Sequence, residues 1–226
     1  MSVWQITITY RLIFSKFGVK VKAIMSSRQV NYLEFFKTVG KSKRLLRSGP
    51  VREGIKDPES VAEHSFRTGV IAMVLSDKFD YEFDKDKLVK MALIHDIGEI
   101  VTGDVVVQRG EILDLKLRDD KEEQERVGIK QIFNQIQEGE VYSKIFEEMI
   151  ERKSPEAKIF WQFDKLEMAF TALEYEEEQG KQLEEFFLDA NTNMKEPLLK
   201  KILNEIIKSR KKEYQASLAQ KMGVKI

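Results

Sequence analysis

The amino-acid sequence predicts an all-α protein with one helical domain, and three observations support this class. Apolar residues make up 42% and charged residues 34% of the 226 residues, a balance typical of a globular protein rich in exposed helix. Glycine and proline number only 12 and 4, too few for a turn-rich β-sandwich. From Ser26 onward, apolar residues recur at helical spacing, with no internal repeat and no linker that divides the chain.

Residues 1–25 are expected to form a short extended arm that is peripheral to function. The segment is rich in Val, Ile, Thr and Tyr, unlike the rest of the chain. Basic residues such as Arg11 and Lys16 interrupt it, so it lacks the continuous apolar core of a signal peptide. A translation start at Met25 is the alternative. The domain is expected to occupy residues 26–226.

Composition excludes several classes of function. Lys and Arg together number 38, as do Asp and Glu, so the basic excess of a general nucleic-acid binder is missing. No run of 18 apolar residues is present, so neither a transmembrane helix nor a membrane partner is expected, and the predicted location is cytoplasmic. The absence of cysteine excludes disulfides and thiolate metal ligands. His64 and His95 are the only histidines.

Caps and turn residues predict the helices in order along the chain. A first helix is expected over 27–39, followed by a basic stretch and a loop to Pro58. Ser60 and Glu63 form a capping box that begins a second helix over 60–79. The apolar positions of this second helix share one face and are Ala62, Phe66, Val70, Met73 and Val74.

The later helices follow from the same signals. Asp84 begins a helix that carries His95 on an apolar face, and Gly98 interrupts it. Further helices are expected over 111–137, 141–152 and 155–178, after Gly180, and from Pro197 onward. The last helix carries an apolar stripe, which together with the Phe-rich segments indicates a homodimer, whereas the tail from Lys208 is expected to be solvated.

Three features of the sequence are candidates for a catalytic or metal-binding site. Asp164 lies on a largely apolar helical surface, where an unpaired acid is costly, although pairing with a nearby base or a place at the helix edge would also explain it. His95 and Asp96 are adjacent and can reach one ion lying between their side chains, although His95 alone fits a hydrogen-bonded core residue. His64 alone would be a surface residue beside the capping box.

Taken together, these four side chains offer two nitrogen and two oxygen ligands on three helices. Imidazole and carboxylate ligands suit a divalent transition ion. Four protein ligands leave two positions of an octahedral ion open for water and substrate, which metal-activated hydrolysis requires.

These residues resemble the H…HD…D signature of the HD-domain metal-dependent phosphohydrolases. Their surroundings are similar to the 5′-deoxynucleotidase branch of that family, which removes phosphate from deoxyribonucleoside 5′-monophosphates. The similar segments are PESVAEHS ending at Ser65, ALIHDIGEIVTGD ending at Asp104, and FDKLE ending at Glu167. The resemblance covers about residues 28–207 and implies an HD-domain helical bundle with a metal site between helices.

The resemblance also implies roles for individual residues. His64, His95, Asp96 and Asp164 would bind one divalent metal ion, cobalt, manganese or a similar ion, with magnesium, zinc or nickel as alternatives. Glu99 would position or deprotonate the attacking water if the helix persists through Gly98, and is otherwise a solvated helix-end acid.

Two further residues take roles on the same basis. Asp104 would be a second catalytic carboxylate near the leaving oxygen or the sugar, and is otherwise a turn residue. Arg47 matches the arginine of an R-x-G-W segment that contacts the substrate phosphate, and is otherwise part of a solvated basic run. Pro50 stands where that segment has the aromatic residue that would stack on the base.

The function expected from this resemblance is hydrolysis of (deoxy)ribonucleoside 5′-monophosphates to nucleoside and phosphate. The family's cyclic-nucleotide and two-metal branches use additional histidines, which this chain lacks. The alternatives are an HD-domain hydrolase of another phosphoester, a non-catalytic helical binding protein with a metal-stabilised core, and a helical interaction module without metal.

Overall fold

The computed structural model describes residues 30–79, 82–109 and 111–223. The expected N-terminal arm therefore lies outside the described residues. Within the described ranges almost all regular structure is helical, which confirms the all-α class. The exception is a two-stranded antiparallel hairpin, β1 (Gln108–Arg109) and β2 (Ile112–Leu113).

The helices follow the predicted order, with two short additions before the capping box, one at Glu99–Thr102 and one after the last predicted helix. Short 3₁₀ helices follow the first and third α-helices over Gly40–Arg44 and Ser76–Lys78. The α-helices are α1 (Tyr32–Val39), α2 (Ser48–Arg52), α3 (Val61–Leu75), α4 (Lys85–Ile94), α5 (Glu99–Thr102), α6 (Leu115–Phe133), α7 (Gly139–Glu151), α8 (Pro155–Gln179), α9 (Glu184–Asn193), α10 (Pro197–Ser209) and α11 (Lys212–Met222).

Helix α8 forms the centre of the fold and packs against α3, α4, α7, α9 and α10. Its first turn is capped by the Ser154 side chain, which accepts a hydrogen bond from the backbone N–H of Ala157, and Pro155 occupies the first helical position. Gly180 ends the helix in the left-handed conformation, with φ of 65°. The largest fully buried side chains of α8 are Phe160, Phe163, Ile159 and Leu166.

Helix α3 begins as predicted but exposes the face that the sequence marks as apolar. Ser60 and Glu63 make both hydrogen bonds of the capping box, which confirms that prediction, and the α-helix ends at Leu75 rather than near residue 79. The exposed apolar residues are Phe66, Val70, Met73 and Val74. The buried face carries polar and small residues instead, namely His64, Ser65, Thr68, Gly69 and Ala72. His64 on this face finds its partners on α8, as described below, whereas the Thr68 hydroxyl donates to the carbonyl oxygen of His64 within α3.

The predicted interruption of α4 at Gly98 is confirmed, so the helix does not persist to Glu99, and it ends a few residues earlier than Gly98. The α-helix ends at Ile94, and hydrogen bonds from residue i+3 to residue i close a tighter turn before α5, as from Glu99 N to Asp96 O at 3.1 Å. Helix α6 packs directly on this turn. A Cβ at Gly98 would lie 3.0 Å from the backbone oxygen of Glu125, and one at Gly128 would lie 2.9 Å from the oxygen of Gly98. A side chain at Gly128 would therefore force the backbone to shift, and one at Gly98 would fit only if α6 moved by a few tenths of an ångström.

Two other helices begin at residues that differ from the predicted ones. Helix α1 begins at Tyr32 rather than at residue 27, because Asn31 caps it by accepting a hydrogen bond from the Glu34 N–H. Helix α6 begins at Leu115, since Ile112 and Leu113 belong to the hairpin. None of the described helices combines the length and the apolar character needed to cross a lipid bilayer.

The prediction of a solvated C-terminal tail is wrong. The chain forms α11, whose Leu218 is fully buried, and Arg210 between α10 and α11 is only 3% exposed. The Arg210 guanidinium donates two hydrogen bonds of 2.8 Å to Glu176 on α8 and lies 4.2 Å over the ring of Phe187. The apolar stripe of α10 is also buried within the chain, through Leu199, Leu203 and Ile206.

We expect Arg210→Met to lower the free energy of unfolding by about 3–5 kcal/mol, because it leaves the buried carboxylate of Glu176 without its cation. Urea denaturation followed by circular dichroism measures this change. The control is Lys208→Met, an exposed residue of α10, which should change the free energy by less than about 0.5 kcal/mol. Equal stability of the two variants would contradict the prediction.

Candidate metal centre and active site

Four side chains predicted as metal ligands meet at the junction of α3, α4 and α8. His64 lies in the first turn of α3, His95 and Asp96 follow the end of α4, and Asp164 lies near the middle of α8. The two histidine Nε2 atoms are 3.1 Å apart. His64 Nε2 is 3.0 Å from Asp164 Oδ1, and His95 Nε2 is 3.1 Å from Asp96 Oδ2. All four residues are buried.

The chemistry of this donor set fits a divalent metal ion. The Nδ1 atom of His95 lies 2.8 Å from the carbonyl oxygen of Ala92 and donates its proton there, so Nε2 is left as the lone-pair nitrogen. The corresponding Nδ1 of His64 contacts Glu167. Two imidazole nitrogens and two carboxylate oxygens thus face one another, an arrangement that a shared cation stabilises and that suits transition ions. The group of His64, His95 and Asp164 could hold such an ion.

In the metal-free site, neighbouring charges and hydrogen bonds shift the pKa values of the proposed ligands. Burial and Arg47 lower the pKa of His64, but Glu167 and Asp164 outweigh them and raise that pKa to about 10. Burial opposes the ionisation of Asp96, yet His95 and Arg47 hold its pKa well below the usual range. Hydrogen bonding by His64 and the charge of Lys165 likewise overcome burial and lower the pKa of Asp164. Both aspartates are therefore anionic near neutral pH.

Arg47, predicted to contact phosphate, lies beside the metal ligands. Its backbone N–H donates to the carbonyl oxygen of Glu59 at 3.0 Å, which holds the residue next to the start of α3. Its Nη1 atom is 2.6 Å from Asp96 Oδ2, and only 12% of its side chain is exposed. The alternative of a solvated basic run is therefore wrong for this residue.

Glu99 is fully buried, which contradicts the alternative of a solvated helix-end acid. Lys121 of α6 donates a 2.8 Å hydrogen bond to its Oε1, while Oε2 has no hydrogen-bond partner within the described part of the chain. Burial and the charge of Asp96 raise the pKa of Glu99 well above its ordinary value, with Lys121 acting in the opposite direction. The raised pKa makes this carboxylate a stronger base than an ordinary one, and its free oxygen is available to accept a proton.

Asp104 is held in place by the start of α2. Its Oδ2 accepts a 2.6 Å hydrogen bond from the backbone N–H of Ser48, whose hydroxyl donates to the backbone oxygen of Asp104 at 2.7 Å. Burial raises the pKa of Asp104, but Arg47 and Lys121 lower it by more, so the net pKa is below the ordinary value. The carboxylate is thus a fixed anion.

Most of these groups line a cavity of about 340 Å³, within the range of small-molecule sites, while His64 and Glu99 lie behind its lining. Arg47, Asp96, Asp104 and Asp164 line it together with apolar and aromatic side chains. The apolar and aromatic lining residues include Pro50, Val106, Leu113, Trp161, Met168 and Phe186.

The structure adds residues that sequence reasoning missed. Phe186 on α9 lies against Gly49, since a Cβ built at Gly49 would be 3.3 Å from its ring. An aromatic side chain is therefore present next to Pro50, although Pro50 itself is not aromatic. Lys165 lies 3.7 Å from Asp164 and 3.0 Å from Asp189, and it also lines the cavity. Lys165 directly follows a predicted ligand, whereas nothing in the linear sequence links Phe186 to residue 49.

The helical fold and its site define a protein with a buried nitrogen–oxygen metal centre at the wall of a small-molecule cavity. The family model described as HD domain matches residues 39–207, three quarters of the chain. The chain therefore belongs to the HD-domain family, whose metal dependence the buried histidine–aspartate group fits.

Several proteins are similar to this chain. The 5′-deoxynucleotidase HDDC2 of Dictyostelium discoideum is 36% identical over 194 residues, which cover 80% of this chain and 99% of that protein. The protein of the same name from Danio rerio is 33% identical over 82% of this chain and 91% of its own length. A solved structure from Pyrococcus horikoshii superposes with a TM-score of 0.66 at 31% identity, covering 79% of this chain and 99% of that one.

We expect the affinity of the site for Mn²⁺ to rise with pH. His64 is protonated in the metal-free protein at neutral pH because its pKa is about 10, and an ion must displace that proton. The association constant should therefore rise about tenfold per pH unit between about pH 6.5 and about pH 8.5. Titration calorimetry of metal-stripped protein in two buffers of different ionisation enthalpy should show about one proton released per ion. A pH-independent affinity would contradict this.

Proposed function

We propose that this protein is a metal-dependent phosphomonoesterase that hydrolyses nucleoside 5′-monophosphates, with deoxyribonucleotides as the preferred class. The observation that carries the proposal is the contact between Arg47 and Asp96 at 2.6 Å, which puts a phosphate-binding guanidinium beside the ligands of the proposed metal site. The names of the relatives, 5′-deoxynucleotidases at 28–36% identity, support the nucleotide substrate.

In this proposal the four predicted ligands hold one divalent ion, with cobalt or manganese preferred. The residues are His64, His95, Asp96 and Asp164. When bound, the ion supplies Lewis-acid polarisation of a phosphoryl oxygen and lowers the pKa of a water. Arg47 binds the phosphate dianion and stabilises charge on its equatorial oxygens. Lys165, which lies 3.7 Å from Asp164, adds a second positive charge next to the ligand cluster.

Glu99 and Asp104 are proposed to assist the two proton transfers of the reaction, one from the attacking water and one to the leaving oxygen. The raised pKa and free Oε2 of Glu99 support a role in taking the proton of the attacking water. Asp104 stays anionic, which supports a role as an acceptor that holds the sugar or a water near the departing 5′-oxygen. That water would give a proton to the leaving oxygen, and the proton taken up by Glu99 would return through solvent to the hydroxide left behind, so that the products are a nucleoside and inorganic phosphate.

The aromatic side of the cavity supports binding of a nucleoside. Phe186 lies where it can contact a base next to Pro50, in place of the aromatic that the family segment would supply. The domain boundary at residue 26 and a cytoplasmic location remain predictions from the sequence.

We expect metal-loaded protein to release phosphate from deoxyribonucleoside 5′-monophosphates, and Asp96→Asn to lose both the ion and the activity. Glu99→Gln should keep the ion but lower kcat by about 10²–10⁴-fold, because it removes the proton acceptor. The assay measures phosphate release from a panel of deoxyribo- and ribonucleotides after separate loading with cobalt, manganese, magnesium and zinc.

The metal content of each variant is the control in this assay. Protein that keeps one ion per chain but releases no phosphate from any nucleotide would overturn the nucleotidase proposal and favour another phosphoester or a binding function. Protein that holds no ion under any condition would favour a helical module without metal.

We also propose that the chain forms a homodimer through the exposed face of α3. We call this surface the α3 face and define it by Phe66, Val70 and Met73 of α3 with Leu93 of α4. Phe66 and Met73 are 69% and 57% exposed. Leu93 lies beside α3, since a Cβ at Gly69 would contact its side chain at 3.6 Å. A contiguous apolar surface of this kind is typical of an interface. The C-terminal stripe is buried within the chain and cannot serve this purpose.

We expect Phe66→Glu to convert a dimer into a monomer, because it puts a charge at the centre of an apolar interface. Light scattering coupled to gel filtration should give about twice 26.4 kDa for the natural protein and 26.4 kDa for the variant. The matched control is Val127→Glu on α6, which replaces a 58% exposed apolar residue outside the α3 face. A monomeric natural protein, or dissociation in both variants, would contradict the proposed interface.

A further inference from the structure

Behind the proposed metal ligands lies a buried acid that neither the sequence nor the proposed reaction assigns. Glu167 is fully buried on α8, one turn after Asp164. Its Oε2 contacts Nδ1 of His64, on the side of the imidazole ring opposite the other ligands. One helix thus carries both a direct ligand and a group that touches the back of a second ligand.

We propose that Glu167 is a positioning residue that orients the His64 ring for metal binding. With its Nδ1 proton shared with Glu167, the imidazole is left to coordinate through Nε2, which faces Asp164 at 3.0 Å and His95 at 3.1 Å. The inference rests on the metal site of the proposed function, but it concerns only the chain's own groups.

The orientation of Glu167 is itself fixed from α3 and α8. Its Oε1 accepts a 2.9 Å hydrogen bond from Nε of Arg67 and a 3.0 Å hydrogen bond from the hydroxyl of Thr171. Arg67 lies one turn after His64 on α3, and Thr171 lies one turn after Glu167 on α8. Both oxygens of Glu167 are therefore occupied, which a freely rotating carboxylate would not show.

The guanidinium of Arg67 is in turn held by hydrogen bonds near the protein surface. Its Nη1 donates to both carboxylate oxygens of Glu174 at 2.6 and 2.7 Å, and its Nη2 contacts Thr171. A chain of contacts therefore runs from His64 through Glu167 and Arg67 to the surface. Because charge-assisted and bidentate hydrogen bonds are directional, this chain restricts the rotation of the imidazole ring.

An alternative explanation for the contact between Glu167 and His64 is a second metal site. One atom each of Glu59, His64 and Glu167 lies within 4.8 Å of the others. The contacts of Glu167 with Arg67 and Thr171 favour the positioning role, because its oxygens already have donors. Metal stoichiometry separates the two: the positioning role gives one ion per chain, and two ions per chain would overturn it.

The test is the affinity of full-length, metal-stripped protein for Mn²⁺ alone, measured by titration calorimetry. Glu167→Gln should weaken binding by about 10- to 100-fold, the usual loss when a supporting partner of a metal-binding histidine is removed. The control is Glu177→Gln, which carries the same substitution at an exposed position of α8 outside this chain of contacts. Its affinity should stay within about twofold of the natural protein.

Two further readouts separate positioning from a structural role. Thermal unfolding of the metal-free proteins reports stability, and a structural role alone would lower the melting temperature of Glu167→Gln while leaving its Mn²⁺ affinity unchanged. The visible spectrum of Co²⁺-loaded protein reports ligand geometry and should change in Glu167→Gln but not in Glu177→Gln. An unchanged affinity and spectrum in folded Glu167→Gln would overturn the proposal.

If Glu167→Gln does not fold, Arg67→Met carries the test, since the Arg67 side chain is 30% exposed. Its loss frees Glu167 from one of its two anchors, so Mn²⁺ binding should weaken by about threefold to tenfold. An affinity equal to that of the natural protein would overturn the proposal. If the natural protein itself binds no ion, the metal site of the proposed function fails, which is a separate result from failure of this inference.

Discussion

The neutralisation of acids inside a helical core is the constraint on which this structure depends. Asp96, Glu99, Asp164 and Glu167 are all below 10% exposure, and a buried carboxylate is costly unless a cation or hydrogen-bond donors compensate it. Each of them contacts or lies near a basic side chain from elsewhere in the chain, and these are Arg47, Lys121, Lys165 and Arg67. Charge pairing therefore sets how the helices meet around α8, together with apolar packing.

Local chemistry explains what the sequence could predict. The capping box at Ser60 and the proline at residue 155 each act within one turn of helix, so their signals stand in a few adjacent residues. The same holds for the His95–Asp96 pair. The four predicted ligands do meet in the structure, because each lies on a helix whose type and approximate position are predictable.

Contacts between distant segments explain what the sequence could not predict. Lys121 reaches Glu99 from a helix that begins sixteen residues after it, and Arg67 reaches Glu167 across 100 residues. The α3 face shows a second limit. A period of 3.6 residues indicates which side chains share a face, but not whether another element covers that face. His64 and Arg67 of α3 face α8 because their partners Asp164 and Glu167 lie there, which no pattern within α3 reveals.

The close contact between Gly98 and Gly128 limits how this family of sequences can vary in length. Lys121, Glu125 and Gly128 follow one another at intervals of four and three residues, so they share one side of α6. One residue inserted between Lys121 and Gly128 would rotate the lysine by about 100° relative to the glycine contact and turn it away from Glu99. A change of length between Lys121 and Gly128 therefore separates the salt bridge from the glycine contact, whereas a change in the loops before or after α6 leaves the two in register.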